Sequence, residues 1–307
     1  MSVNVNEKDI IKQIEKLKEE RNAIILSHYY QIDEVQDIAD YAGDSFGLSQ
    51  KAATTDADVI VFCGVQFMAE SAKILSPEKT VLLPEKMAGC PMADMVDVAG
   101  LIEMKSKYPD HSVVTYVNST AAVKAESDVC CTSSNALKIV EAVDNDKILF
   151  VPDKNLGTYV ANRTDKEVIV WDGYCNTHHQ VELEEIKKVK ERHPDAPILI
   201  HPESKPEVVA MADYVGSTAG ILKYARESEA DTLIIGTEQG ILYQLKKENP
   251  GKTFYMLSPR LICPNMKKTN LTKVLNSLEN NETEIFIPEE ICQKAYQALN
   301  KMLELAG

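Results

Sequence analysis

A chain of 307 residues that is 44% hydrophobic and 26% charged has the composition of an ordinary globular protein. Its net charge of −14, without a basic cluster, excludes nucleic acid or an anionic membrane surface as a partner. The N-terminus has no apolar signal core, and no apolar run approaches the roughly 18 residues of a membrane helix, so we expect a cytoplasmic protein without a membrane partner.

The chain begins with a predicted amphipathic helix over residues 7–21, whose isoleucine and leucine side chains fall on one face. From residue 23 onward, apolar strands alternate with helical patterns of roughly 12 residues, which is the signature of a parallel sheet covered by helices. Helices over 97–108 and 181–192 are predicted to connect successive groups of strands. A last amphipathic helix is predicted over 288–305.

The pattern of strands and helices occurs three times, with the same landmarks in the same order. Each copy opens with a strand that ends in polar side chains, in AIILSHYY, SVVTYVNS and PILIHPES. A hydroxyl residue then marks the start of a helical run, a further apolar strand follows, and the last strand leads to a cysteine. The hydroxyl residues are Ser45, Ser133 and Thr218, and the cysteines are Cys90, Cys175 and Cys263. Such regularity indicates three copies of one unit.

The repeat predicts an α/β fold of three pseudo-symmetric α/β/α lobes, each Rossmann-like with a short parallel sheet, around a central active site. The predicted bounds are 1–109 for the first lobe with its N-terminal helix, 110–196 for the second and 197–287 for the third. Residues 288–307 are expected to pack back on the first lobe. Because parallel sheets bind ligands beyond the carboxyl ends of their strands, the polar residues and cysteines are expected to face one cavity.

The three hydroxyl residues have two interpretations. Serine and threonine at the start of a helix commonly cap its free backbone N–H groups. Three such starts around one cavity would instead combine hydroxyls, N–H donors and positive dipole ends into a cradle for carboxylates or a phosphate. Because Ser45, Ser133 and Thr218 recur in register, we favour the anion cradle.

The seven cysteines, an odd number in a reducing compartment, do not indicate a disulfide framework. Those predicted to be small buried hydrophobes are Cys63, Cys130, Cys131 and Cys292. The recurring Cys90, Cys175 and Cys263 indicate a shared three-thiolate site, for zinc with one open position or for a cubane iron–sulfur cluster with one iron unligated by protein. Their spacing does not separate the two. The strand Val168–Val170 is predicted to be buried, and His178 to be a catalytic acid or a metal ligand.

An ordered set of motifs closely resembles the quinolinate synthase family from about residue 23 to residue 271. The motifs are HYY, GDSFGLS, YVNST, CTSSNA, WDGYCNTHH, HPE, GSTAGI, GTEQG and CPNMK. The resemblance implies three similar lobes around an active site, with a [4Fe–4S] cluster held by Cys90, Cys175 and Cys263. It implies a transferase that condenses iminosuccinate (iminoaspartate) with dihydroxyacetone phosphate to quinolinate, phosphate and water in de novo NAD biosynthesis. The open iron would act as a Lewis acid.

The resemblance also implies roles for individual residues. The implied iminosuccinate contacts are His28, Ser45, Tyr116, Asn118, Ser133, His201, Glu203 and Thr218. Tyr30, His178 and Met266 would line the same cavity. Glu203 and Tyr30 are the candidates for the proton transfers. The further catalytic candidates are His28, Tyr116 and His178.

Two alternatives of other classes remain at this point. A zinc hydrolase with a metal held by three cysteines would use the same thiolates. A non-catalytic iron–sulfur sensor would need a partner surface or a DNA-binding element, and the sequence shows neither a basic patch nor a helix-turn-helix pattern. For the synthase, the resemblance implies small-molecule partners and a functional link to an L-aspartate oxidase or dehydrogenase.

Overall fold

The structure is a computed structural model that describes residues 7–306. The first lobe contains α1 (Glu7–Glu20), β1 (Ala23–His28), α2 (Asp33–Asp37), β2 (Tyr41–Gly43), α3 (Ser45–Thr54), β3 (Val59–Cys63), α4 (Gln66–Leu75), β4 (Thr80–Leu82) and α5 (Val98–Lys107). A short 3-10 turn, Ala93–Met95, precedes α5.

The second and third lobes repeat this alternation. The second contains β5 (Ser112–Tyr116), α6 (Ala121–Ala125), β6 (Val129–Cys131), α7 (Ala136–Ala142), β7 (Lys147–Val151), α8 (Lys154–Ala161), β8 (Glu167–Val170), α9 (Asn176–His179) and α10 (Leu183–Arg192). The third contains β9 (Ile198–Ile200), α11 (Pro206–Val209), β10 (Tyr214–Val215), α12 (Thr218–Glu227), β11 (Thr232–Gly236), α13 (Ile241–Glu248) and β12 (Thr253–Met256). Two helices follow, α14 (Leu271–Asn280) and α15 (Glu289–Ala306).

Each lobe has one four-stranded parallel sheet with the same strand order. The orders are β2-β1-β3-β4, β6-β5-β7-β8 and β10-β9-β11-β12. In every sheet the first and third strands of the lobe lie in the centre, where helices cover both faces and the strands are almost continuously apolar. The prediction of three pseudo-symmetric α/β lobes is confirmed.

The edge strands account for two differences from the predictions. The second strand of each lobe (β2, β6 and β10) was missed, because two or three residues carry too little pattern to be recognised. The buried strand predicted over Val168–Val170 is only half-buried, because β8 lies at the edge of its sheet and has a neighbour on one side only.

The C-terminal segment packs differently from the prediction. Helix α14, which was assigned to the third lobe, packs with α1 against the first-lobe sheet. The chain after it runs along β4, where the amide of Ile285 donates to the carbonyl of Val81 at 2.9 Å. Helix α15 contacts α4 of the first lobe but lies chiefly on α6, β6 and α7 of the second. It therefore contacts the first lobe, on which it was predicted to pack, and joins that lobe to the second.

Among the helices formed by residues 7–306, none has both the length and the apolar character required to cross a bilayer.

Candidate active site and metal centre

The carboxyl ends of the first strands of all three sheets meet at one cavity of about 140 Å³. All side chains selected from the sequence as site residues line it. They are His28, Tyr30, Ser45, Cys90, Tyr116, Asn118, Ser133, Cys175, His178, His201, Glu203, Thr218, Cys263 and Met266. The lobes thus bring together residues that lie far apart in the chain.

The backbone places the three recurring cysteines in equivalent positions. The same backbone hydrogen bond, 2.8 Å long, occurs in all three lobes. Its donor is the N–H of the third residue after the lobe's third strand, and its acceptor is the carbonyl of the second residue before the cysteine. The donor–acceptor pairs are Gln66–Ala88, Lys154–Gly173 and Gln239–Leu261. This repeated hydrogen bond ties each cysteine loop to the carboxyl end of a central strand, and so aims the thiols at the same cavity.

The environment of these thiols suits metal ligands. Burial raises the pKa of Cys90 to about 12, and it raises the pKa of Cys175 and of Cys263 as well, so the protein alone keeps them protonated. Backbone N–H groups a few residues further along the chain act in the opposite direction on all three sulfurs. A bound metal would supply the missing positive charge, and the N–H donors would then stabilise the thiolates.

A second group of possible ligands lies beside Cys175. Its Sγ, a ring nitrogen of His178 and a carboxylate oxygen of Glu203 lie within 4.8 Å of one another, and among residues 7–306 no other set of three such groups is this compact. The sulfurs of Cys90, Cys175 and Cys263 do not form such a compact set. A single zinc ion, bound at about 2.3 Å to each, would draw them to about 3.8 Å apart.

Glu203 is held by groups from the second lobe. Its Oε1 accepts a hydrogen bond from the hydroxyl of Tyr116 at 2.6 Å, and its Oε2 lies 2.7 Å from Nδ1 of His178. Burial alone would raise the pKa of Glu203, but His201, His178 and Tyr116 outweigh it and hold that pKa below its usual range. The side chain is thus a buried, unprotonated carboxylate, which is the form that a proton acceptor requires.

Tyr30 connects with this carboxylate through other side chains. Its hydroxyl accepts from Thr218 at 2.8 Å and lies 2.6 Å from Oγ1 of Thr237. The same Thr237 oxygen lies 2.9 Å from Nε2 of His178, whose Nδ1 meets Glu203. Donors and acceptors alternate consistently when Tyr30 donates to Thr237 and Thr237 donates to His178. Burial raises the pKa of Tyr30 well above its ordinary value, so its proton is retained for this chain.

His28 and His201 occupy equivalent positions at the ends of β1 and β9. In both, Nδ1 accepts the backbone N–H of the residue two positions later in the chain. His28 accepts from Tyr30 at 3.1 Å, and His201 accepts from Glu203 at 3.3 Å. Burial lowers the pKa of both histidines to about 3, so the rings are neutral. The remaining nitrogen of His201 contacts Oγ of Ser133 at 3.1 Å. His28 therefore offers a neutral N–H donor to a ligand, while the N–H of His201 is directed at Ser133.

None of the three recurring hydroxyl residues is the N-cap of its helix, so their interpretation as simple caps is wrong. Asp44 and Ser217, one position earlier, cap α3 and α12, so Ser45 and Thr218 begin those helices with their side chains at the cavity. Ser133 lies in a turn before α7, whose N-cap residue is Asn135. Two of the three hydroxyl residues thus begin a helix at the cavity, whereas Ser133 reaches the cavity from a turn.

Several residues at the site were not selected from the sequence. Thr237 and Glu238 follow β11, and Lys267 follows the Cys263 loop; the contacts of all three reach the cavity. The signal was present in GTEQG and CPNMK, which contributed to the resemblance. No residue within GTEQG was given a role, because neither spacing nor symmetry singles one out.

Three parallel α/β lobes, a shared cavity with three thiols, and a buried carboxylate with acid–base partners define an α/β enzyme with a site that could hold a metal. The model of the family described as quinolinate synthetase A protein matches residues 12–304. The chain belongs to this family, which confirms the resemblance found in the sequence.

Individual relatives agree over nearly their whole length. A quinolinate synthase of Alkaliphilus metalliredigens is 56% identical over 302 residues, which cover 98% of this chain and 100% of the relative. A quinolinate synthase of Caldicellulosiruptor saccharolyticus is 57% identical, with coverage of 97% and 98%. Quinolinate synthase 1 of Methanosarcina acetivorans is 56% identical, with coverage of 96% and 97%.

Proposed function

We propose that the chain condenses iminosuccinate with dihydroxyacetone phosphate to quinolinate, phosphate and water in de novo NAD biosynthesis. Family membership supports the reaction, and the convergence of three thiols with the Glu203 network on one cavity carries the assignment of the site. The proposed cofactor is a [4Fe–4S] cluster held by Cys90, Cys175 and Cys263.

The donor set favours a cluster over a zinc ion. Three cysteines line the cavity and no fourth one does among the described residues, which would leave one iron of a cubane cluster open. One zinc ion would require these sulfurs to move together. When bound, the cluster supplies an open iron that acts as a Lewis acid on a substrate oxygen or nitrogen.

The uncharged polar side chains of the cavity would bind the anionic substrates through hydrogen bonds, without a positively charged side chain. His28 and His201 are neutral N–H donors, and the hydroxyls of Ser45, Ser133 and Thr218 line the cavity, where that of Thr218 donates to Tyr30. The buried Oδ1 of Asn118 has no partner among the described residues, so this oxygen is free to accept a hydrogen bond from an N–H or O–H of the substrate. The N–H and hydroxyl donors, in a site of low dielectric, bind carboxylates and a phosphate strongly.

The proton transfers fall to Glu203 and the two tyrosines. Glu203 is ionised and accepts a proton from the substrate, while Tyr30 and Tyr116 keep theirs because burial raises the pKa of both hydroxyls. Condensation, ring closure and loss of water each require a proton to be removed at one atom and delivered at another. The substrate iminosuccinate would come from an L-aspartate oxidase or dehydrogenase.

Turnover tests this proposal directly. The chain, purified without oxygen, is supplied with freshly generated iminosuccinate and dihydroxyacetone phosphate, and quinolinate and phosphate are measured by chromatography. We expect one phosphate for each quinolinate. A chain that holds iron but forms no quinolinate would favour a sensor, and a colourless, active hydrolase with one zinc would favour the zinc alternative.

A further inference from the structure

Glu238 and Lys267 form a buried ion pair to which the proposed reaction assigns no role. Nζ of Lys267 lies 3.0 Å from the Glu238 carboxylate, whose side chain is completely buried. A buried charge lowers stability unless it is paired and hydrogen-bonded, so the partners of this pair indicate what it stabilises.

On one side, the pair holds the loop of a proposed metal ligand. Oε1 of Glu238 accepts the backbone N–H of Cys263 at 3.0 Å, and Oε2 accepts the N–H of Gly240 at 2.7 Å. Each carboxylate oxygen therefore accepts a backbone N–H in addition to its contact with Lys267. Loss of the carboxylate would leave the amide of Cys263 buried without this acceptor.

On the other side, the pair holds the acid–base residue of the first lobe. Nζ of Lys267 donates to the backbone carbonyl of Tyr30. At position 240, an added β-carbon would lie 2.8 Å from backbone atoms of Tyr30 and from Nζ of Lys267, so only glycine permits this close approach. Nε2 of Gln36 reinforces the junction, since it donates to the carbonyl of Gly240 and to those of Tyr29 and Gln31, each at 3.0 Å.

The pseudo-threefold repeat shows that this arrangement is special to the third lobe. The position two residues beyond the third strand is Val65 in the first lobe, Asp153 in the second and Glu238 in the third. Asp153 accepts the amides of Asn155 and Leu156 at the start of its own helix, whereas Val65 has no side-chain acceptor. Within residues 7–306, only the carboxylate at the third-lobe position is paired with a lysine that reaches the next lobe.

We propose that Glu238 and Lys267 are positioning residues that lock the Cys263 loop to the backbone of Tyr30. Metal ligation in the third lobe and the placement of the Tyr30 hydroxyl then depend on each other. The inference rests on the proposed function for the roles of Cys263 and Tyr30, but the contact itself does not.

The test uses Glu238→Gln, Lys267→Met and the double variant, purified without oxygen. The matched control is Glu248→Gln, which breaks an ion pair with Arg226 in the same lobe, between α12 and α13. Amide hydrogen exchange is measured over residues 29–31 and 263–267, together with iron content, kcat and KM. Lys267→Arg, which retains the charge, serves as the conservative variant.

Each single variant is expected to speed amide exchange in both segments by about tenfold. It should also lower kcat by about tenfold, with KM nearly unchanged. The double variant should be no worse than either single one, because both remove the same contact. Lys267→Arg should recover most of the loss, and the control should change nothing. Faster exchange in only the segment next to the altered residue, or additive effects in the double variant, would overturn the lock. If the unaltered chain formed no quinolinate, the proposed function would fail, and hydrogen exchange would still decide on the lock.

Discussion

The hydroxyl of Tyr30 and the carboxylate of Glu203 are joined by an unbroken chain of hydrogen bonds through Thr237 and His178. The successive distances are 2.6, 2.9 and 2.7 Å. Tyr30 belongs to the first lobe, His178 to the second, and the other two residues to the third, so the chain crosses all three. It gives the two proposed acid–base groups a direct path for exchanging a proton.

Replacement of Thr237 by valine should interrupt that path. Valine keeps the shape of the side chain but removes the hydroxyl, and the loss of about 1 kcal/mol per hydrogen bond predicts a fall in kcat of about fivefold to thirtyfold. Steady-state turnover measures the effect, with Thr237→Ser as the control that retains the hydroxyl. Equal kcat in the valine variant and the unaltered chain would show that the chain carries no proton during turnover.

Glu203→Gln should keep the metal group and lose the reaction. The amide preserves the size of the side chain but accepts no proton, so quinolinate formation is expected to fall by about a hundredfold or more at unchanged iron content. Glu182→Gln, at an exposed position with an ion pair to Lys205, is the control. Retained turnover would remove Glu203 from the role of base.

Ser133→Ala and Thr218→Ala should weaken substrate binding. Each variant removes one hydroxyl at the cavity, and a hydrogen bond to a charged group predicts a loss of about 1–2 kcal/mol. Binding of an unreactive dicarboxylate analogue, measured by calorimetry, separates this effect from chemistry. Ser134→Ala, whose hydroxyl donates to Asp44, is a neighbouring control. Unchanged affinity in the first two variants would limit their hydroxyls to structural hydrogen bonds.

The stability of the protein should fall as pH is lowered, in part because of His28. Burial lowers the pKa of His28 to about 3, against about 6.5 in an unfolded chain. Between these values the unfolded chain binds a proton that the folded chain does not, so the free energy of unfolding decreases as pH falls from about 6.5 towards 3. His28→Gln should flatten this dependence by about 1.4 kcal/mol per pH unit. Urea unfolding from pH 7 to pH 4.5 measures it, and identical slopes would contradict the buried neutral ring.

The sequence was sufficient for the lobes and for most of the cavity lining, because both follow from local patterns that repeat. Long central strands such as Val59–Cys63 and the polar residues at strand ends recur in register, so symmetry alone brought them together. Packing between lobes follows no such pattern. The positions of α14 and α15, and the contacts of Thr237 and Glu238, depend on which side chains meet across a junction, and no periodicity in the sequence encodes that.

The central claim is that one sulfur from each lobe holds a single iron–sulfur group above the Glu203 network. Its most direct test is the iron and sulfide content, with the Mössbauer spectrum, of anaerobic Cys90→Ala, Cys175→Ala and Cys263→Ala chains, beside Cys292→Ala as the control outside the cavity. We predict about four irons per chain in the control and the unaltered chain, and loss of the cubane spectrum in each of the other three. An intact cubane cluster in any of those three variants would contradict the claim.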